Sequence, residues 1–395
     1  MTSHTFRCGA LACGVLFVVS VSSATAQQTV GDVLTFLVTN QSVATGNPQF
    51  DLTAAQATSE TISRALLASV ATLPVTSSSG AFVYRLSPEL GTLERTTESF
   101  GPFFVERAST AGRGQASFAI TFQHLRFSSL DGHDLRSGTF VTIANKFKDE
   151  SAPYDENRLA LNIDASLATF YGNVGVTDSL EVGFAVPMVA LRVDGSRVDV
   201  YRGRPFTQAT ASASAVGLAD IVLRTKYTLF ADHGSGIAGA IDVRLPTGRQ
   251  ENLLGAGAAS LKFTGIGSIE NGPATLHVNG GYTVGGLARE LSYGGAVAVA
   301  ATSRMTISGE LLGRHIDGIG HVVPSAVATP GLLGVETIRL LPDTSSLNIL
   351  SAVPGVKWNV TDTWIFVANV SLPLTRAGLT TRFTPFVGID YAFGR

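Results

Sequence analysis

Several groups of residues stand close enough along the chain to suggest chemistry. Asp131-Gly132-His133-Asp134 offers two carboxylates and an imidazole, a donor set that suits a metal ion. No second cluster at ligand spacing accompanies it, so a turn with solvated charges is the plainer reading. His315 and His321 are too far apart for an i, i+4 helical pair and lie in a Gly-rich stretch, where free surface imidazoles are expected. Gly255-x-Gly257 lacks the third glycine and the strand-then-helix setting of a dinucleotide fingerprint. His277 and Ser308 would have the residue types of a base and a nucleophile. A lipid hydrolase needs that pair on a lipid-facing wall, and the strand pattern below turns both the other way. No catalytic residue, metal or cofactor is assigned, and the chain is not expected to be an enzyme.

A second group is more informative. Asp220, Arg224, Lys226, Asp242, Arg244, Glu310, Arg314, Arg382 and Asp390 are charges of both signs set between apolar residues. Leu223, Tyr227 and Leu229 make an apolar row, with Arg224 and Lys226 on the opposite face. Ile237, Ile241 and Val243 alternate with Asp242 and Arg244. Leu276, Val278 and Tyr282 alternate with His277 and Asn279. Trp364, Phe366 and Val370 alternate with Asn369 and Ser371. A period of two belongs to half-buried strands, whose side chains point to opposite faces in turn.

Twelve such segments stand near 115–128, 158–176, 179–192, 217–230, 236–246, 259–269, 273–285, 290–301, 304–315, 346–359, 363–374 and 381–393. Their lengths suit tilted strands that cross a bilayer. Links after even-numbered strands are short, as at Thr177-Asp178 and Asn271-Gly272. Several others are long: 129–157, 193–216 and 316–345. Short turns on one side and long loops on the other are the plan of an outer-membrane barrel. An even count places both barrel ends on the short-turn, periplasmic side. Pairing of residues 80–107 would raise the count to fourteen.

Composition agrees. The 395 residues hold 28 Lys+Arg against 30 Asp+Glu, a net charge of −2, which excludes a basic nucleic-acid binder. Only 15% are charged and 45% are apolar, with 42 Gly. A soluble sandwich would carry charge-rich outer rows. Here the polar rows hold mainly Gly, Ala, Ser and Thr, which suit a narrow lumen. The charges set among them either pair and fill that lumen or form a constriction that selects solute.

Before the barrel, Arg7, the apolar run Leu11–Val21 and Ala24-Thr25-Ala26 read as a secretory signal over 1–26. A lipoprotein signal ending at Cys13 would leave too short an apolar core. Val30, Val33, Leu34, Leu37 and Val38 share one helix face. Thr53-Ala54-Ala55-Gln56 has the form of a capping box that starts a second helix, and Pro74 ends it. Residues 27–80 are thus expected as a helical hairpin and Ser-rich linker, a periplasmic cap or a lumen plug. Residues 81–114, with Phe100-Gly101-Pro102-Phe103-Phe104, are expected to be a connector packed near the barrel mouth. The barrel occupies 115–395. Tyr391 and Phe393 give the aromatic spacing of a terminal strand, followed by Gly394-Arg395.

Gly217-Leu218-Ala219-Asp220-Ile221, Lys226-Tyr227, Asp242-Val243-Arg244-Leu245-Pro246-Thr247-Gly248 and Asn252-Leu253-Leu254-Gly255-Ala256-Gly257 resemble the outer-membrane barrel family named for the meta-pathway of phenol degradation. The resemblance covers roughly residues 115–395. It implies an outer-membrane location in a Gram-negative bacterium and passage of small hydrophobic or aromatic solutes. It brings no binding residues with it. The expected partners are outer-membrane lipid, a small-molecule solute and the barrel-insertion machinery, with no nucleic acid. A structural or adhesive outer-membrane role is the alternative.

The face assignment generates a first expectation. Val243→Arg, on the apolar row, costs ~2–4 kcal/mol in a refolding titration. The same change at Ala240, on the opposite row, is expected to be far milder.

Overall fold

Twelve antiparallel strands close into one barrel: β1 (Ala116–Leu130), β2 (Tyr154–Gly175), β3 (Leu180–Tyr201), β4 (Val222–Asp232), β5 (Ser235–Arg244), β6 (Ser260–Asn271), β7 (Ala274–Gly285), β8 (Arg289–Thr302), β9 (Met305–Asp317), β10 (Leu347–Thr361), β11 (Trp364–Pro373) and β12 (Thr384–Phe393). Each pairs with its successor. β12 returns to β1, with Phe393 opposite Ala116 and Phe386 opposite Gln123. This computed structural model describes residues 29–38, 48–70, 84–86, 93–95, 99–148, 154–232, 234–328, 331, 333–361 and 363–393. The expected signal segment, Pro74, the Ser77–Gly80 linker and Gly394-Arg395 lie outside them.

All twelve expected segments form wall strands. The segment near 217–230 is divided: a strand Arg204–Leu218 ends, the chain breaks over 219–221, and β4 begins at Val222. Among the described residues, 80–107 add no wall strand: Tyr84–Leu86 and Leu93–Arg95 pair with each other. The long links are partly strands too. β3 runs on to Tyr201 and pairs with Arg204–Leu218, and Phe140–Phe147 joins β2 to Val335–Pro342. These extensions raise the wall on the long-loop side.

The barrel is apolar outside. Phe118, Ile120 and Phe122 of β1 are exposed, while Ser117, Thr121 and Gln123 of the alternate row are buried. Leu223 and Tyr227, Ile237 and Ile241, Leu276 and Val278, and Trp364 also face out. Small residues shape this face. Gly172 lies under the rings of Phe118 and Phe184, and Gly313 lies under Tyr293.

The two helices lie within the barrel. α1 (Val30–Val38) and α2 (Pro48–Val70) pack at the long-loop end, not as a cap over the short turns. α1 lies against β3 and Arg204–Leu218, and α2 against Phe140–Phe147 and Val335–Pro342. There the inward rows change from polar to apolar: Leu125 and Phe127, then Leu159, Leu161 and Ile163, then Val189, Leu191 and Val193. These residues and the buried faces of α1 and α2 form one hydrophobic core inside the upper barrel. The capping box is also elsewhere. Thr53 sits within α2 and its hydroxyl donates to the Gln49 carbonyl. Pro48 opens that helix, where its missing N–H costs nothing. The reciprocal cap belongs to α1: Asp32 N donates to Thr29 Oγ1 and Thr29 N to Asp32 Oδ2, both at 3.0 Å. At the other end of α1, buried Arg197 donates to the carbonyls of Phe36 and Leu37, which suits the negative pole of a helix.

Ala240 corrects the substitution contrast. It is buried against Ala108 of the segment inside the lumen, so an arginine there meets packed chain and is not mild. Docking of α1 depends on Gly195, where a Cβ would meet Leu37 and Leu161. Gly195→Val is expected to cost about 1–3 kcal/mol through overpacking. Hydrogen exchange should show amides 33–38 losing protection while those of β6–β9 keep theirs.

Candidate functional site

The lower lumen holds residues 99–114, a strap without helix or strand. This part of the expected connector therefore lies inside the barrel rather than at its mouth. It starts near the short turns, with Ser99 Oγ 3.0 Å from Thr275 Oγ1. It rises to Phe104–Glu106 and returns to the short-turn end, where Gly114 N donates to the Gly175 carbonyl at 2.8 Å. Pro102 and Gly101, with Gly101 at φ 68°, turn the chain where no ladder forms.

An irregular backbone away from water needs partners for its amides and carbonyls. Wall side chains provide them. Glu310 accepts from Phe103 N at 2.6 Å, and from Phe104 N and Val105 N at 2.8 Å each. Lys357 donates to the carbonyls of Phe100 and Pro102, at 3.2 and 2.6 Å. Lys226, fully buried, donates to the Ser109 carbonyl at 3.0 Å and lies 3.6 Å from Glu181. Thr228 donates to the Ala108 carbonyl, Ala108 N donates to Ser268, and Ala111 N donates to Glu181. Phe103 and Phe104 stack edge-on with Phe386 of the wall.

The sequence-derived charges thus take five different places. Glu310 and Lys226 anchor the strap. Asp390 is buried on the inner wall with Lys357 as its cationic neighbour. Arg224, Asp242, Arg244 and Arg314 line a cavity above the strap. Arg224 is bound through two nitrogens by Asp242 and also by Glu106 of the strap tip. Asp220 and Arg382 are corrections. Asp220 is wholly buried at the rim of β4, where it accepts from Gly248 N and Ala256 N. Arg382 is exposed just before β12, because the chain turns there before the wall strand begins. The alternation that put Arg382 in the lumen ran past the end of that strand.

The motifs behind the family resemblance gather around Asp220. Thr247 Oγ1 donates to the Ala219 carbonyl and accepts from Ile221 N. Gly248 and Gly255 touch backbone to backbone, so a Cβ at either would strike the other. Leu253 and Leu254 then enter the core around α1.

A second rim contact was missed in the sequence. Asp131 is not solvated. It accepts from His321 Nδ1 at 2.8 Å, Val322 N at 2.7 Å and Gly378 N at 2.6 Å, which ties three links together. His321 N also donates to Asp343. The Ser345 hydroxyl, followed by the amides of His321 and Ser345, holds the Asp343 carboxyl below the ordinary range against the opposing effect of burial. Only the Asp131–His321 spacing across 190 positions could have signalled this pair, and one sequence does not carry that signal. His277 is buried on the inner wall, bonded to Ser268 and Thr275 rather than to Ser308. No metal-binding cluster stands among the described residues.

Between the strap tip and α2 lies a cavity of about 170 Å³. Phe104 and Val105 make its floor, Ala68 and Ile319 its roof, and β4–β9 its wall.

No protein-family model matches the chain, and no curated protein matches it in sequence. Solved structures that it is similar to include the COG4313 outer membrane channel from Pseudomonas putida F1, at 11% identity and TM-score 0.46 over 72% of this chain and 98% of that one. The KdgM porin follows at 8% identity and TM-score 0.35, over 70% of this chain and 99% of that one. The NanC porin stands at 6% identity and TM-score 0.36, over 69% and 98%.

Removing the Glu310 carboxylate leaves three strap amides without their acceptor. Glu310→Ala is expected to lower stability by about 1–3 kcal/mol. Amides 103–105 should change from slow to fast hydrogen exchange. Unchanged exchange there would show that the carboxylate does not hold the strap.

Proposed function

We propose that this chain is an outer-membrane channel for small solutes, closed at rest by the strap. The observation that carries the reading is a cavity with charged walls inside a closed barrel, blocked toward the short turns by a segment held through non-covalent contacts alone. The apolar outer surface and the split between short turns and long loops support placement in an outer membrane. Movement of the strap would open a path along the inner faces of β4–β9. The solute passes without a covalent step. Small hydrophobic or aromatic solutes fit both the resemblance to the meta-pathway barrels and the apolar floor and roof of the cavity. A lumen that stays filled would instead suit a structural barrel, and the test separates the two.

The chain's two cysteines, Cys8 and Cys13, precede the described residues. A pair introduced as Ala108→Cys and Ala240→Cys, which stand in one buried cluster, would pin the strap to β5. The mature protein is placed in liposomes and uptake of phenol, benzoate and a sugar is compared. Phenol should pass when the pair is reduced, stop when it is oxidised and pass again on re-reduction. No uptake of any solute in either state would favour the structural role. Equal uptake in both states would take the strap off the path.

A further inference from the structure

Three neighbouring positions on the cavity wall form one cross-strand row. Arg224 of β4 lies opposite Asp242 of β5, and Asp242 lies opposite Lys262 of β6. The row continues through Thr283 of β7 to Glu290 of β8. Side chains directly opposite on such strands stand about 5 Å apart and interact as pairs. Lys262 therefore has a carboxylate on either side along the row.

Both carboxylates are committed elsewhere. Asp242 gives one oxygen to Arg224 Nε and the other to Arg224 Nη2. Glu290 is held by Arg314, through Nε at 3.1 Å and Nη2 at 2.7 Å. Each is the two-point contact that an arginine fork makes best, and a lysine ammonium competes poorly for it. Glu106, the third carboxylate of the cavity, is bound to Arg224. Lys262 makes no hydrogen bond or ion pair with any described residue, yet it lines the cavity and is half-buried. Asp242 and Glu290 act on this ammonium only at a distance, because each is already held in an arginine fork, so it has no direct anionic partner.

The cavity supplies apolar surface beside it. Phe104 and Val105 lie below, Leu312 and Ile316 on the facing strand, and Ala68 above. We infer that the cavity is a binding site for a small monoanion with an apolar body, its anionic head on Lys262 and its body on the strap tip. This rests on the channel reading only for the claim that the occupant is cargo. The site itself follows from the charge row. Its floor belongs to the strap, so an occupant touches the element that closes the lumen.

The full mature chain in detergent is titrated calorimetrically with hexanoate, hexanol and hexylammonium. Hexanoate should bind roughly ten- to a hundredfold more tightly than hexanol, as expected for one charge-assisted hydrogen bond, and hexylammonium should not bind. Lys262→Gln should remove the preference, and Lys262→Arg should keep it. Retention of the barrel by each variant is checked by the heat-dependent shift of its band on a gel. Equal binding of acid and alcohol, a preference that survives Lys262→Gln, or no binding of either would overturn the inference. Liposome uptake keeps the two readings apart. Hexanoate bound but not passed contradicts the channel and leaves the site. Solute passed without an acid preference in binding does the reverse.

Discussion

A peptide segment with neither helix nor strand can lie inside a barrel only if its backbone groups find partners there. Much of this structure follows from that condition. Glu310, Lys357, Lys226, Thr228, Ser268 and Glu181 project inward from strands on different sides of the wall, and each meets an amide or carbonyl of residues 99–111. The wall satisfies the strap, and the strap satisfies the wall. Lys226 and Glu310 would otherwise be charges buried in an enclosed space at high cost.

The same condition divides the lumen into levels. At the short-turn end the strap needs hydrogen bonds, so the inner wall is polar. At the long-loop end α1 and α2 satisfy their own backbones, so the wall facing them is aliphatic. Between these levels neither the strap nor the helices fill the space. The charges there are largely paired with one another across neighbouring strands. Buried ion pairs add little net stability, but removing one partner is costly. The strap is accordingly held by many separate contacts spread around the wall.

The wall was largely legible in the sequence because alternation is a local signal repeated twelve times. Leu223, Tyr227, Ile241 and Val243 declare the outer face by spacing alone. The alternation was uninformative where it passed a strand end, as at Arg382, and where a break of a few residues joined two strands, as at Ala219–Ile221. The inner contents were harder to read. Phe100–Phe104 was recognisable as non-strand, but nothing local says that its amides bond to a glutamate more than two hundred positions later. One signal was present: Leu159, Leu161 and Ile163 occupy an inward row that should be polar if water lies beside it. Apolar residues on the inner row predict a hydrophobic occupant, and α1 and α2 are that occupant. Among the charges, spacing located the candidates, but not which of them hold the strap, which line the cavity and which tie the rim.

The chain has two tryptophans, Trp358 and Trp364, and both face outward near the short turns, about half exposed at 51% and 47%. Trp364 packs against Tyr391 with the rings tilted and their centroids 4.7 Å apart, an aromatic pair suited to a membrane interface. The most direct measurement is therefore tryptophan fluorescence of the mature protein in bilayers whose acyl chains carry bromine near the headgroup. A wall in contact with lipid gives strong quenching by the brominated chains and weak quenching by acrylamide in the aqueous phase. Strong acrylamide quenching with no effect of bromine would place both rings in water, and the apolar surface would then belong to something other than a membrane.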